Sequence, residues 1–178
     1  MERVRPATAY DVPVVLQLIH ELAVYEREPD AVEATEAMLH AALFGAEPAA
    51  RCHVALTGGA VVGFALWYPT FSTWTGRGGL WLEDLFVRPA ARGSGLGKQL
   101  LVELAGICTA HGWTRFEWWV LDWNTPAQGF YRSLGALPQD DWTVWRVDGD
   151  ALATLAADRK STRLNSSHPR LSRMPSSA

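Results

Sequence analysis

The sequence predicts a mixed α/β domain, on three observations. The chain has 178 residues, 48% of them hydrophobic, enough for one sizeable core. Its first half holds two apolar runs joined by Gly58-Gly59, the signature of a β-hairpin. Its second half reads strand, long amphipathic helix, strand, which after an early hairpin implies a mixed sheet.

Taken in order, Glu2–Arg5 reads as a short strand. Thr8 and Asp11 form a capping-box signature ahead of Val12–Glu26, whose apolar residues recur at helical spacing. Thr35 is placed to cap a second helix running through Phe44. Arg51–Thr57 and Ala60–Tyr68 are the hairpin strands, and Trp81–Arg88 is a strand stopped by Pro89. Leu96–His111 is the long helix, with Gly112 as its C-terminal stop. Arg115–Leu121 reads as a strand, Pro126–Leu134 as a short helix ended by Gly135, and Thr143–Val147 as a last strand. No internal repeat is visible.

Composition excludes several classes of function. No run approaches 18 apolar residues, and MERVRPATAYD at the N-terminus carries no signal-like stretch, so neither a membrane partner nor export is expected. Cys52 and Cys108 make no disulfide framework, which suits a cytoplasmic setting. From Arg159 the chain turns poor in apolar residues and rich in Ser, Arg and Pro. Residues 159–178 are therefore expected to be a disordered basic tail, resembling translated adapter or vector sequence and so non-native, with a native segment for acidic partners as the alternative, and 1–158 the domain. The tail holds five basic side chains and no acid, which leaves 11 basic and 19 acidic ones in 1–158, a net charge of −8. So acidic a body is a poor nucleic-acid binder and a plausible attractor of cations. His20, His40, His53 and His111 show no ligand spacing, and no metal is expected.

Three glycines in five positions, Gly93, Gly95 and Gly97, stand where the long helix should begin. Glycine costs about 1 kcal/mol against alanine inside a helix, so the cluster requires a reason. The residues alone leave two: a tight strand-to-helix turn, or close approach of an anion to bare backbone N–H groups. A Walker A loop is excluded by Arg92 and Gln99, and a dinucleotide fingerprint by Lys98. What remains is R-x-x-G-x-G, with Arg92 and Lys98 able to add charge-assisted contacts to a phosphate.

At this point the sequence resembles the GNAT N-acetyltransferases, whose acetyl-CoA pyrophosphate motif is R-x-x-G-x-G. The stretches LWLEDLFVRPAARGSGLGKQLL, VLDWNTPAQGFYRSLGA and RPATAYDVPVVLQLIHELAVYE are similar to the spermidine/spermine (diamine) N-acetyltransferase branch. The similarity runs over roughly residues 3–157. It implies a strongly twisted sheet whose Trp81–Arg88 and Arg115–Leu121 strands splay apart to admit acetyl-CoA, a homodimer, and direct acetyl transfer to a small cationic amine. Leu85, Phe86 and Val87, the loop Arg92, Gly93, Ser94, Gly95, Leu96, Gly97 and Lys98, and Asn124 and Pro126 are its implied cofactor contacts. Backbone N–H groups near Phe86 and Val87 would polarise the thioester carbonyl.

The chemistry demands a base, a cation site and an acid. An alkylamine with pKa about 10.4 must lose a proton before it attacks, at roughly 4–5 kcal/mol near pH 7. The resemblance makes Glu83 the base and Asp84 a holder of the cationic substrate. As strand neighbours they should point to opposite faces, and the residues alone allow one of them to be an ordinary surface carboxylate. Tyr131 is implied as the acid that protonates the CoA sulfur, its alternative being a core tyrosine with a satisfied hydroxyl. Trp74 and Trp142 coincide with substrate-site aromatics, and Tyr25 and Glu26 with a position that closes over the substrate. Trp67, Trp81, Trp113, Trp118 and Trp145 are expected in the core or on sheet faces, and Cys108 in the core rather than as a nucleophile.

The chain also departs from that branch. Ser72 stands where an acidic residue is usual, the stretch between Trp74 and Glu83 contains Arg77, and Asp140 and Asp141 are candidates to replace the lost charge. A diamine or lysine-like amino acid is thus favoured over a long polycation. Protein or peptide N-acetylation and a non-catalytic acyl-CoA-binding module are the competing readings.

Overall fold

The computed structural model describes residues 3–164, in two compact units, Met1–Thr125 and Pro126–Ala178. Glu2, expected to start the first strand, and positions 165–178 of the expected tail lie outside the described residues.

In the first unit β1 (Arg3–Pro6) leads through a 3-10 turn, Ala9–Asp11, into α1 (Val12–Tyr25). The expected capping box holds this entry. The Thr8 backbone N–H donates to Asp11 Oδ2 at 2.7 Å and the Thr8 hydroxyl to the same oxygen at 2.9 Å. Arg5 adds a two-pronged ion pair to the Asp11 carboxylate at 2.7 and 2.9 Å, and this holds the carboxyl down to about 2. The folded-state value lies below the unfolded one, so the contribution is complete above about pH 4 and is lost as pH falls through about 2. Asp11→Asn should therefore cost about 2 kcal/mol at pH 7, with the variant and wild type converging near pH 2. Urea unfolding at the two pH values checks this.

Thr35 caps α2 (Glu36–Phe44) by accepting from the Met38 N–H at 3.2 Å, as its position predicts. Then come β2 (Arg51–Thr57), β3 (Ala60–Ser72) and β4 (Arg77–Val87). β3 runs four residues beyond its expected end, and β4 starts four residues earlier than expected and stops one residue sooner, for physical reasons. Pro69 lacks an N–H, but β2 stops pairing at Trp67, so no hydrogen bond is missed on that side. Gly78 sits in β4 because a Cβ there would lie 2.5 Å from Trp113 Nε1; its glycine reflects close packing rather than a loop. α3 (Leu96–Ala110) then crosses to β5 (Arg115–Trp118).

The sheet order is β1-β2-β3-β4-β5, antiparallel except for β4 and β5, which run parallel as a helical crossover requires. One face carries Cys52, Val54, Phe64 and Phe86 against Val12, Val15, Leu18 and Leu22 of α1 and Leu39 and Leu43 of α2. Such buried side chains contribute about 1.5–3 kcal/mol each. α3 packs against β1, β2 and β4, burying Leu96, Leu100, Leu104 and Cys108 at four-residue spacing.

In the second unit α4 (Thr125–Ser133) begins one residue before the boundary and ends at Gly135, whose φ of 89° is the left-handed stop expected. Two expectations fail in the C-terminal half. β5 ends at Trp118 rather than Leu121, and Thr143–Val147 forms no strand. Its β-branched and aromatic residues suit a strand, but a strand needs an edge to pair with, and Trp145, expected to pack, is 92% exposed. α5 (Gly149–Leu164) carries helix six residues into the segment set aside as a tail.

Candidate active site

β4 and β5 pair only from Gly79 with Arg115 to Leu82 with Trp118. Beyond that point β5 has ended, and the β4 edge from Glu83 to Val87 has no strand beside it. A backbone edge left open in this way offers amide groups to a ligand. The splaying implied by the resemblance thus begins at Glu83.

The same place carries a β-bulge. Asp84 lies opposite Leu66 and Leu82 opposite Trp67, so Glu83 is an extra residue with no partner. The bulge overturns the expectation that Glu83 and Asp84 face opposite ways. Leu66 and Tyr68 share a face of β3, and their partners Asp84 and Trp81 must share it too. Glu83 reaches the same side: its Oε2 accepts from Trp81 Nε1 at 3.0 Å and from the Tyr68 hydroxyl at 3.2 Å. Both carboxylates therefore lie on the α1 side of the sheet.

Their environments differ. Glu83 is exposed, whereas Asp84 is largely enclosed, and burial pushes its carboxyl up to about 6, with the Glu83 and Glu26 charges adding to the shift. Burial also raises Glu26, which lies just past the end of α1. Three carboxyl groups held together at an electrostatic cost form a site that a cation would relax.

Around them α1 ends in a polar and aromatic cluster. The Tyr25 hydroxyl donates to Asn124 Oδ1 at 3.0 Å, and Asn124 is buried. Arg92 places its guanidinium 4.9 Å from the Tyr25 ring centre and 5.7 Å from that of Phe86, while Nε donates to the Val87 carbonyl at 2.9 Å. Arg27 lies 4.5 Å from the Trp123 ring centre. The structure thus brings Tyr25, Glu26, Glu83, Asp84, Phe86, Val87, Arg92 and Asn124 into one region of the first unit.

The glycine loop fits an anion. Gly93 and Gly95 have φ of 80° and 90°, with nothing within 4 Å of where a Cβ would stand. Gly95 is the N-cap of α3 and no side chain caps the helix, so the N–H groups of Leu96, Gly97 and Lys98 lack intrahelical partners. Ser94 turns inward, its hydroxyl donating to the Ala91 carbonyl at 2.7 Å. A pyrophosphate fits such a helix start, and the open edge of Leu85, Phe86 and Val87 suits the amide-bearing arm of acetyl-CoA.

Trp74 sits on the hairpin between β3 and β4 and is 81% exposed, while Ser72 is buried and closes that turn through the Thr75 N–H at 3.4 Å. Pro126, Tyr131 and Trp142 belong to the second unit, the first two on α4 and Trp142 beyond it, and Asp140 and Asp141 lie beside Trp142. Tyr68 was missed by sequence reasoning, and no sequence signal marks it, because only the strand register sets it near Glu83. Trp81 was expected as packing, although its place two residues before Glu83 on one strand is a signal of contact. The Cys52 thiol, pushed up to about 12 by burial, is inert, and burial raises Cys108 as well. Among the described residues no cluster of His, Cys, Asp and Glu is arranged to hold a metal. A separate cavity lined by Phe44, Cys52, His53, Trp67, Ile107 and Trp113 shares no residue with this region.

The model of the acetyltransferase (GNAT) family matches residues 15–136. A thialysine N-epsilon-acetyltransferase of Sus scrofa is 37% identical over 164 residues, covering 86% of this chain and 96% of that protein. An L-ornithine N5-acetyltransferase of Arabidopsis thaliana is 30% identical, with 86% of this chain and 87% of that protein covered. Among solved structures, an integron cassette protein from the mobile metagenome of V. cholerae superposes with a TM-score of 0.74 at 28% identity, covering 87% and 97% of the two chains.

Proposed function

Because the chain belongs to the GNAT family and is an acetyl-CoA-dependent N-acetyltransferase, we propose that its acceptor is the primary amine of a small cationic molecule, a diamine or a lysine-like amino acid. The observation that carries this reading is the enclosed Asp84 carboxyl with Glu83 and Glu26 around it, beside an open β4 edge. The named substrates of the two relatives, thialysine and ornithine, are short and carry one amine beyond the α-amino group, which suits a site lacking the charge that Ser72 replaces.

In this reading the glycine loop and the N–H groups of Leu96, Gly97 and Lys98 hold the pyrophosphate, with Arg92 and Lys98 adding charge. Asn124 and Pro126 lie along the pantetheine arm. The N–H groups that β4 turns toward its open edge near Phe86 and Val87 stabilise the oxyanion that forms as the amine attacks the thioester carbonyl. Glu83 takes the proton from the ammonium group, directly or through water, and Tyr131 supplies one to the leaving thiolate. Asp84, Glu26 and Tyr25 hold the cation, with Trp74 an aromatic contact and Trp142 a second one on the strength of the resemblance alone. A homodimer is part of the proposal, supported by the exposed apolar side chains of Val144, Trp145 and Val147. So is a cytoplasmic setting, supported by two free cysteines. A nucleic-acid partner is disfavoured by the net charge of −8 over 1–158, and no helix among the described residues is long and apolar enough to cross a membrane.

Thiol release from acetyl-CoA, measured with a panel of diamines, basic amino acids and peptides, tests the reading. Short diamines or basic amino acids should lead the panel. With the best of them KM should fall as pH rises from about 5 to 7, because Asp84 ionises through about 6 and then attracts the cation. Preference for peptides, or thiol release with no acceptor in the panel, overturns it.

A further inference from the structure

The bulge does more than turn Glu83 toward its neighbour. An exposed glutamate without a cross-strand partner is free to sample several rotamers, only a few of which aim its carboxylate at one point. Here two donors from flanking positions converge on it. Tyr68 and Trp81 are direct cross-strand partners next to the bulge, and both bond the same oxygen, Oε2, at 3.2 and 3.0 Å. Trp81 is itself held: Trp119, one residue past the end of β5, meets its ring edge-on at 5.0 Å and 81°. The three aromatic residues thus straddle the point where β4 and β5 separate, and Oε1 accepts none of these bonds.

We propose that Tyr68 and Trp81 are positioning residues that clamp the Glu83 carboxylate by one oxygen and leave the other aimed at the substrate ammonium. The inference rests on Glu83 being the base. Holding a base within hydrogen-bond reach of its proton is worth more than the bond itself, since a small misplacement costs rate rather than binding. The Tyr68 phenol, pushed up to about 12 by burial and by the Glu83 charge, stays a donor across the working range of the enzyme. Trp81 Nε1 can only donate. Neither group competes for the proton, so the clamp orients Glu83 without titrating alongside it.

Tyr68→Phe and Trp81→Phe keep an aromatic ring and each remove one donor. Each should lower kcat roughly 10- to 100-fold, the range for one hydrogen bond to a charged group, with KM for the amine moving less than about twofold. The decisive measurement is the double-mutant cycle. Tyr68→Phe placed in a Glu83→Gln background should change kcat less than about twofold, because the carboxylate it positions is already gone. Its defect in the wild-type background should shrink as pH rises and the amine deprotonates unaided. If Glu83→Gln is crippled but Tyr68→Phe and Trp81→Phe cost the same factor with or without Glu83, the clamp is refuted while the base stands. If Glu83→Gln retains full kcat, the base role falls and the clamp falls with it.

Discussion

Tyr131→Phe should lower kcat by roughly 10²–10⁴-fold, the usual range for a general acid, and the loss should persist at every pH. The substitution keeps the ring and removes only the proton that the leaving thiolate needs, and raising pH supplies no acid. Glu83→Gln should lose a similar factor near pH 7 but recover toward alkaline pH. The neutral fraction of an amine with pKa about 10.4 rises tenfold per unit below that value, so the missing base matters progressively less. The measurement is kcat against pH, from about 6.5 to 10, with one good amine. Near-full activity of Tyr131→Phe would make the tyrosine a packing residue. An equal defect of Glu83→Gln at all pH values would make the glutamate a substrate holder. Asp84, raised to about 6 by burial, has a value suited to a base as well, so Asp84→Asn belongs in the same experiment. Alkaline relief in Asp84→Asn but not in Glu83→Gln would exchange the two roles.

Replacing Gly97 by valine should weaken acetyl-CoA binding by roughly 10²–10⁴-fold, the equivalent of two lost charge-assisted hydrogen bonds. Gly97 is the second residue of α3 and lies within its regular helical run, so a side chain there costs the backbone little. Gly95 is the less clean choice. Its φ of 90° strains any L side chain, and a failure to bind could then reflect a damaged helix start rather than a blocked phosphate site. Gly106→Ala, on the exposed side of the same helix with open space around it, is the control that should bind normally. Calorimetric titration of folded variants decides the matter: unchanged affinity in Gly97→Val would show that the glycines serve the turn alone.

The α helices of the first unit and the glycine loop were legible because their signals are local. Thr8 with Asp11, Thr35 before Glu36, and Gly112 after α3 each act within one turn of chain, and the structure places each where its neighbours in sequence imply. The helix start at Gly95 is legible for the same reason, since its unpaired N–H groups follow from the backbone and not from anything packed on it. Charge was legible too: an acidic body pointed to a cationic partner before any carboxylate was placed. Thr143–Val147 shows the limit of such signals. Its β-branched and aromatic residues suit a strand, yet composition states only that a segment would accept a pleated conformation and not whether an edge is there to receive it.

What the tertiary structure alone decided is the arrangement of charge around Glu83. A bulge is defined by two strands in register and cannot be read from one of them, so the sequence placed Glu83 and Asp84 on opposite faces and the fold placed them on the same one. Tyr68 stands 15 residues from Glu83, Tyr25 stands 99 from Asn124, and only sheet pairing and helix packing bring each pair within 3.2 Å. Asp84 lies in the same strand as Glu83, but its shift to about 6 comes from burial under the rest of the chain. The sequence by itself determined which chemical groups are present and where helices begin. Long-range packing decided which groups meet, because register, burial and charge coupling are properties of neighbours in space rather than along the chain.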